Sequence, residues 1–229
     1  MLFQGLNVYS SYPQFDNLRA AGPEGDMAEG QIDFWFTMGS TYSYLSVMRL
    51  ADVESFHGVR FRWRPFHLLL ILQEMNHVPF ADKPMKTRYM WRDIERRAAM
   101  YGLPVKLPAP YPVKQSVTAN LVAIVGMREG WGADFVRAAY RRWMQNGEET
   151  GSEPNVSSSL RDIGQEPGRI IALANTSAAN DALLSETDAA RHLGIFGSPT
   201  FAVGQELFWG DDRLGDAISW LKYGAVRRT

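Results

Sequence analysis

At 229 residues, 45% of them hydrophobic and 21% charged, the chain has the size and composition of one large globular domain, or of a domain carrying a sizeable insertion. A net charge of -1 leaves no basic footprint for nucleic acid, and the longest aliphatic run, Leu68 to Leu72, is far too short to cross a bilayer. The absence of cysteine removes structural disulfides, thiolate metal sites and a cysteine nucleophile, together with any need for an oxidising compartment. A cytoplasmic address is expected, since the N-terminus has neither the basic start nor the apolar core of a signal peptide.

Residues 1–31 are irregular: Gly5, Pro13, Gly22, Pro23, Gly25 and Gly30 break any periodicity. Met27 stands just before the first strong pattern and is expected to be the native start, with an extension ahead of it. From Ile32 to Phe36 an aromatic-rich run predicts a strand. Met38-Gly39-Ser40 forms a turn, and Tyr44, Leu45, Val47, Met48 and Ala51 predict a helix over 41–56, stopped by His57-Gly58. Val59 to Trp63 alternates as a second strand, parallel to the first across a right-handed crossover.

Helices are predicted next over 85–101, 116–128, 133–145, 156–163, 168–174 and 178–193, with a proline-rich connector over 104–112. Strand character returns in Thr200–Val203 and Glu206–Phe208, joined by Gly204-Gln205 as a hairpin. A last helix is expected to be capped by Asp211 or Asp212, with Leu214, Ala217, Ile218 and Leu221 inward. The order is β-α-β, a long all-helical stretch, then β-β-α. It predicts an α/β, thioredoxin-like fold over 32–65 and 194–224, interrupted by a helical insertion domain over 66–193.

Two segments carry the candidate chemistry. Gly39-Ser40-Thr41-Tyr42-Ser43-Tyr44 falls where a strand turns into a helix, the place where thioredoxin folds keep a C-x-x-C pair; here it reads Ser40-x-x-Ser43. Gly197-Ser198-Pro199-Thr200 falls where such folds keep a cis-proline facing that pair. A serine at a helix start is also an ordinary cap, and Pro199 is also readable as a loop proline. No histidine lies beside Ser40 in sequence to complete a Ser-His-Asp triad. His67 and His77 are too far apart and too poorly supported by acids to predict a metal site. Neither a P-loop nor a G-x-G-x-x-G is present.

Over roughly residues 32–222 the chain resembles the 2-hydroxychromene-2-carboxylate isomerases, relatives of the kappa-class glutathione transferases. The segments that carry the resemblance are Gly39-Ser40-x-Tyr42-Ser43-Tyr44-Leu45, Arg88-Tyr89-Met90-Trp91-Arg92-Asp93, Phe196-Gly197-Ser198-Pro199-Thr200-Phe201 and Phe208-Trp209-Gly210-Asp211-Asp212-Arg213. The family usually has proline after the motif serine; this chain has Thr41.

The resemblance implies glutathione as cofactor, bringing the thiol the chain lacks, with Ser40 as the catalytic residue that stabilises its thiolate. Lowering a thiol pKa of about 8.5 by about two units needs roughly 2.7 kcal/mol. A charge-assisted bond from Ser40 (roughly 1.5 to 3 kcal/mol) and a helix end (up to about 2) suffice together. It further implies glutathione contacts from Ser198 and Pro199 to the cysteinyl part, and from Trp209, Gly210, Asp211 and Asp212 to the γ-glutamyl part. Asn76 and Lys86 fall where relatives place polar contacts, although Lys86 is equally a solvated helix-start lysine. Tyr111 matches a position touching an aromatic substrate, or simply packs the proline-rich loop.

The implied reaction interconverts 2-hydroxychromene-2-carboxylate and trans-o-hydroxybenzylidenepyruvate through a reversible glutathione adduct, in the breakdown of aromatic hydrocarbons. The implied partners are a small aromatic substrate and a second copy in a homodimer, with no nucleic acid or membrane. A kappa-like transferase or peroxidase, or a non-catalytic thioredoxin-fold binding module, are the alternatives.

Overall fold

The computed structural model describes residues 30–77, 80 and 83–227; Met27 and nearly all of the expected extension lie outside the described residues. A four-stranded sheet is built from β1 (Gln31–Phe36), β2 (Arg60–Pro65), β3 (Thr200–Val203) and β4 (Glu206–Trp209), in the order β2-β1-β3-β4. β1 and β2 are parallel, with Gln31 opposite Arg60 and Phe36 opposite Pro65. β3 runs antiparallel to β1, Phe34 opposite Phe201, and forms a hairpin with β4. The pleat puts alternate side chains on opposite faces. Ile32, Phe34, Phe36, Phe201 and Val203 join the main core, while Trp35 and Ala202 enter a smaller one with Phe66, Ile71, Ala190 and Ile195.

Between β1 and β2 the chain forms α1 (Ser43–Val47) and α2 (Leu50–His57), two helices where the periodicity predicts one. The break has a local cause. Arg49 bends its guanidinium back so that Nε donates to the Leu45 carbonyl at 2.9 Å, while its backbone N–H takes Ser46 in a tighter turn. Gly58 closes α2 in the left-handed conformation at φ 64°.

Among the described residues seven α-helices separate β2 from β3: α3 (Leu68–Glu74), α4 (Pro84–Met100), α5 (Ser116–Glu129), α6 (Gly132–Arg141), α7 (Asn155–Asp162), α8 (Pro167–Ala174) and α9 (Ser177–His192). Among them α3 goes unpredicted, because Leu68–Leu72 is one aliphatic run with no polar face to mark a period; only Ile71 and Leu72 are buried. The helix predicted to Gln145 stays α-helical only to Arg141, then opens into a π turn over Arg142–Asn146. There the buried Asn155 amide donates to the Ala139 carbonyl at 3.0 Å and competes with the α-helical ladder.

Last comes α10 (Leu214–Tyr223), whose buried Leu214, Ala217 and Ile218 join the main core. Neither Asp211 nor Asp212 caps it. They begin a separate 3₁₀ turn, Asp211–Arg213, and α10 starts behind Arg213 without a side-chain cap. The architecture is a thioredoxin fold with a helical insertion. Among the described residues, no helix is long and apolar enough to cross a membrane.

Candidate active site

Ser40 stands just beyond the C-terminal end of β1, in a turn held from three sides. Its hydroxyl donates to the Ser198 carbonyl at 2.8 Å and weakly accepts the Ser43 N–H at 3.4 Å. Ser43 and Ser198 share a hydroxyl–hydroxyl bond of 2.9 Å, and the Thr37 N–H donates to Ser198 Oγ at 3.0 Å. The Ser198–Pro199 peptide is cis. Positions 40 and 43 therefore both meet Ser198, the residue before the cis-proline, through hydroxyls in place of thiols.

The other supports come from the helical insertion. Asn120, buried on α5, accepts the Met38 N–H at 2.9 Å and donates to Thr37 Oγ1 at 2.9 Å. Tyr140, buried on α6, directs its hydroxyl at the Thr37 and Ser40 carbonyls, at 2.9 and 3.0 Å. Burial holds the Tyr140 phenol well above its ordinary range, so it stays a neutral donor. Sequence reasoning missed both residues. The available signal was Asn120, a polar side chain amid the apolar residues of α5, which a buried helix keeps only where its amide finds partners.

Among the described residues no histidine is hydrogen-bonded to Ser40. His67 sits after β2, where its backbone N–H donates to Thr187 Oγ1 and burial lowers its pKa. The helix after Ser40 has only five residues, so it aligns fewer peptide dipoles than the sixteen-residue helix expected from the periodicity. At Thr41, the departure from the family's proline, the buried hydroxyl donates to Met90 Sδ at 3.2 Å and ties the turn to α4.

The second cluster adjoins the first through the Gly210 N–H, which donates to the Pro199 carbonyl at 2.9 Å. Gly210 lies at φ 115°, where a Cβ would also meet Asp212 Oδ1 at 2.5 Å. Trp209 is 55% exposed, stacked edge-on against Phe196 with centroids 4.8 Å apart. Its indole covers Gly197 so closely that a Cβ there would lie 2.2 Å from Nε1.

The two aspartates divide sharply. Asp211 is 3% exposed, and its Oδ1 accepts from Ser46 Oγ at 2.8 Å and from Arg49 Nη2 at 2.7 Å. The Arg49 guanidinium in turn lies 3.6 Å over the Tyr101 ring. Asp212 is exposed, bonded to Arg213 at 3.0 Å. Only Asp212 can offer its carboxylate outward.

Asn76, just after α3 at φ 52°, and Lys86, in the first turn of α4, are exposed, and no bond links either to Ser40 or Ser198. Tyr111 packs edge-on to Phe80 and Trp91, with centroids 6.1 and 5.8 Å away, and burial raises its pKa. Its loop reaches the turn through Val113, whose Cβ lies 3.8 Å from where a Cβ of Gly39 would stand.

The model of the DSBA-like thioredoxin domain matches residues 31–218. The chain belongs to that family. It is 27% identical, over 192 residues, to a protein of Sphingobium xenophagum named 2-hydroxychromene-2-carboxylate isomerase, covering 83% of this chain and 97% of the relative. It is 24% identical, over 197 residues, to glutathione S-transferase kappa 1 of Caenorhabditis elegans, covering 80% of this chain and 87% of the relative. A solved structure of 2-hydroxychromene-2-carboxylate isomerase superposes with a TM-score of 0.74 at 25% identity, over 84% of this chain and 94% of its own. This DSBA-like protein thus stands among named isomerases and glutathione transferases, with hydroxyls where redox members of the fold carry thiols.

Proposed function

We propose that the protein is a glutathione-dependent isomerase that interconverts 2-hydroxychromene-2-carboxylate and trans-o-hydroxybenzylidenepyruvate. The observation that carries this reading is the Ser40 hydroxyl, 2.8 Å from the Ser198 carbonyl beside a cis-proline, in a chain with no cysteine. The donor set suits glutathione: a hydroxyl donor for a thiolate, a carbonyl acceptor for a peptide N–H, and the exposed Asp212 carboxylate for an α-amino group. Bound glutathione would supply a thiolate that adds to a conjugated carbon and leaves again, so that the double bond passes through a single bond free to rotate.

Ser40 must swing its proton from Ser198 to the sulfur to stabilise that charge. The move releases the Ser198 carbonyl to accept from the ligand backbone, in the manner of an added strand. Asn120 and Tyr140 hold the turn while this exchange takes place. Trp209, Gly210 and Pro199 shape the neighbouring wall, and Asp212 takes the role that the resemblance spreads over both aspartates. Asn76 and Lys86 supply outer polar contacts, and Tyr111 faces the aromatic substrate. A cytoplasmic homodimer active in aromatic catabolism completes the reading; sedimentation tests the assembly.

The test follows the ultraviolet spectrum of 2-hydroxychromene-2-carboxylate with and without glutathione. Rapid conversion only with glutathione is expected, and Ser40→Ala should lower kcat/KM about 30-fold, equivalent to roughly 2 kcal/mol of transition-state stabilisation. Conversion that ignores glutathione or Ser40→Ala overturns the mechanism. A product heavier by one glutathione identifies a transferase, in which the adduct is released without elimination.

A further inference from the structure

Ser43 is fully buried, so its hydroxyl must find its partners inside the protein. It shares a bond of 2.9 Å with Ser198 Oγ, and it also bonds the Tyr140 phenol, opposing the burial that raises that group's pKa. Each proton can then be traced. The Tyr140 hydroxyl spends its one proton on the Thr37 and Ser40 carbonyls, so its oxygen can only accept, and Ser43 donates to it. The Ser43 oxygen is left to accept, and the Ser198 hydroxyl donates to it.

With the Ser40 hydroxyl donating to the Ser198 carbonyl at 2.8 Å, the four groups close a ring with one sense of donation. It runs from Ser40 to Ser198, from Ser198 to Ser43, from Ser43 to Tyr140, and from Tyr140 back to the Ser40 carbonyl at 3.0 Å. Bonds that run in one sense polarise one another, and a buried setting strengthens them. A thiolate that takes the Ser40 proton breaks one link of the ring. Three links remain, and Ser43 makes two of them.

We propose that Ser43 is a positioning residue for Ser40: by gripping the Ser198 side chain, it keeps Ser40 aimed while its hydroxyl donates to the sulfur of bound glutathione. The role rests on the glutathione reading. Being fully buried, Ser43 touches no ligand and acts through its neighbours.

The test reads the pKa of the bound glutathione thiol from the ultraviolet absorbance of its thiolate. In the wild type that pKa should lie below the free value of about 8.5. Ser43→Ala should raise it by about one, a tenfold loss of thiolate relative to thiol. Ser198→Ala should raise it similarly, and adding Ser43→Ala to that variant should raise it much less, because the shared bond is already gone. S-methylglutathione has no thiol to ionise, so its affinity should change less than about twofold in Ser43→Ala.

An unmoved thiol pKa in Ser43→Ala, or full additivity with Ser198→Ala, overturns the role. So does an equal loss of S-methylglutathione affinity, which a merely structural serine would produce. Should Ser43→Ala fail to fold, Ser198→Ala removes the same bond from a half-buried residue, and an unmoved pKa there overturns the role as well. A wild-type chain that binds no glutathione, or leaves its thiol as in water, overturns the glutathione reading and this role with it. A lowered wild-type pKa that both variants leave in place removes the role alone.

Discussion

The turn at residues 37–40 and the turn at residues 209–213 meet across Pro199, yet they are secured by opposite means. Neutral groups hold the first: the Asn120 amide, the Tyr140 phenol and the Ser198 hydroxyl, all from distant segments. The second is held by a buried ion pair, Asp211 with Arg49, backed by the Ser46 hydroxyl and the Tyr101 ring. Among the described residues, the side chains bonded to this turn are hydroxyls and an amide, so they fix Ser40 without a charged bonding partner. The charged turn can be rigid because its ionic bond lies under the surface, while Asp212 next in sequence stays in water.

The sharpest way to break this contrast is Asp211→Ala. It strands the Arg49 guanidinium, 19% exposed, against Tyr101 without its counter-ion. Removing one member of a buried pair should cost about 3 kcal/mol, read as a lower urea midpoint at unchanged slope. Asp212→Asn is the matched control. It should shift stability by less than about 0.5 kcal/mol and, if the glutathione reading holds, weaken glutathione binding about fivefold, the worth of one solvent-exposed ion pair. Equal effects of the two substitutions would erase the distinction between them.

The neutral turn is tested next by Asn120→Leu. The Met38 N–H and the Thr37 hydroxyl lose their partner inside the protein, at a cost of about 2 kcal/mol by chemical denaturation. If the isomerase reading holds, kcat should fall more than KM rises, because Ser40 is displaced while the rest of the binding surface stays. A cost below about 0.5 kcal/mol would mean that Tyr140 and Ser198 hold the turn unaided.

Much of this was legible in the sequence. The four strands and the hairpin were legible in Ile32–Phe36, Val59–Trp63, Thr200–Val203, Glu206–Phe208 and the Gly204-Gln205 turn, because alternation and turn chemistry are local signals, whereas the antiparallel pairing of β1 with β3 was not. The meeting of Ser40 with Ser198 was legible only because their motifs mark the two sides of a known kind of fold. Asn120 and Tyr140 were not, since each acts across more than 80 residues through bonds that no spacing rule encodes. Nor could spacing separate Asp211 from Asp212. Their fates turn on Arg49, whose guanidinium both breaks the helix after Val47 and reaches the acid.

The smallest expected effect belongs to Tyr140→Phe, and pH gives it a signature of its own. Losing the hydroxyl that serves the Thr37 and Ser40 carbonyls should cost about 1 kcal/mol at neutral pH. Burial raises the Tyr140 pKa in the folded chain, so the unfolded chain releases that proton first, near the usual tyrosine value of about 10. The contribution is therefore complete below about pH 10 and is lost as pH climbs toward the folded value. Denaturation from about pH 9 to about pH 11 should show wild-type stability falling more steeply than that of Tyr140→Phe. The variant keeps a residual slope, since Tyr42 and Tyr44 are also raised by burial. Equal slopes would mean that Tyr140 ionises as readily in the fold as out of it, and the turn around Ser40 would then have a titratable anchor after all.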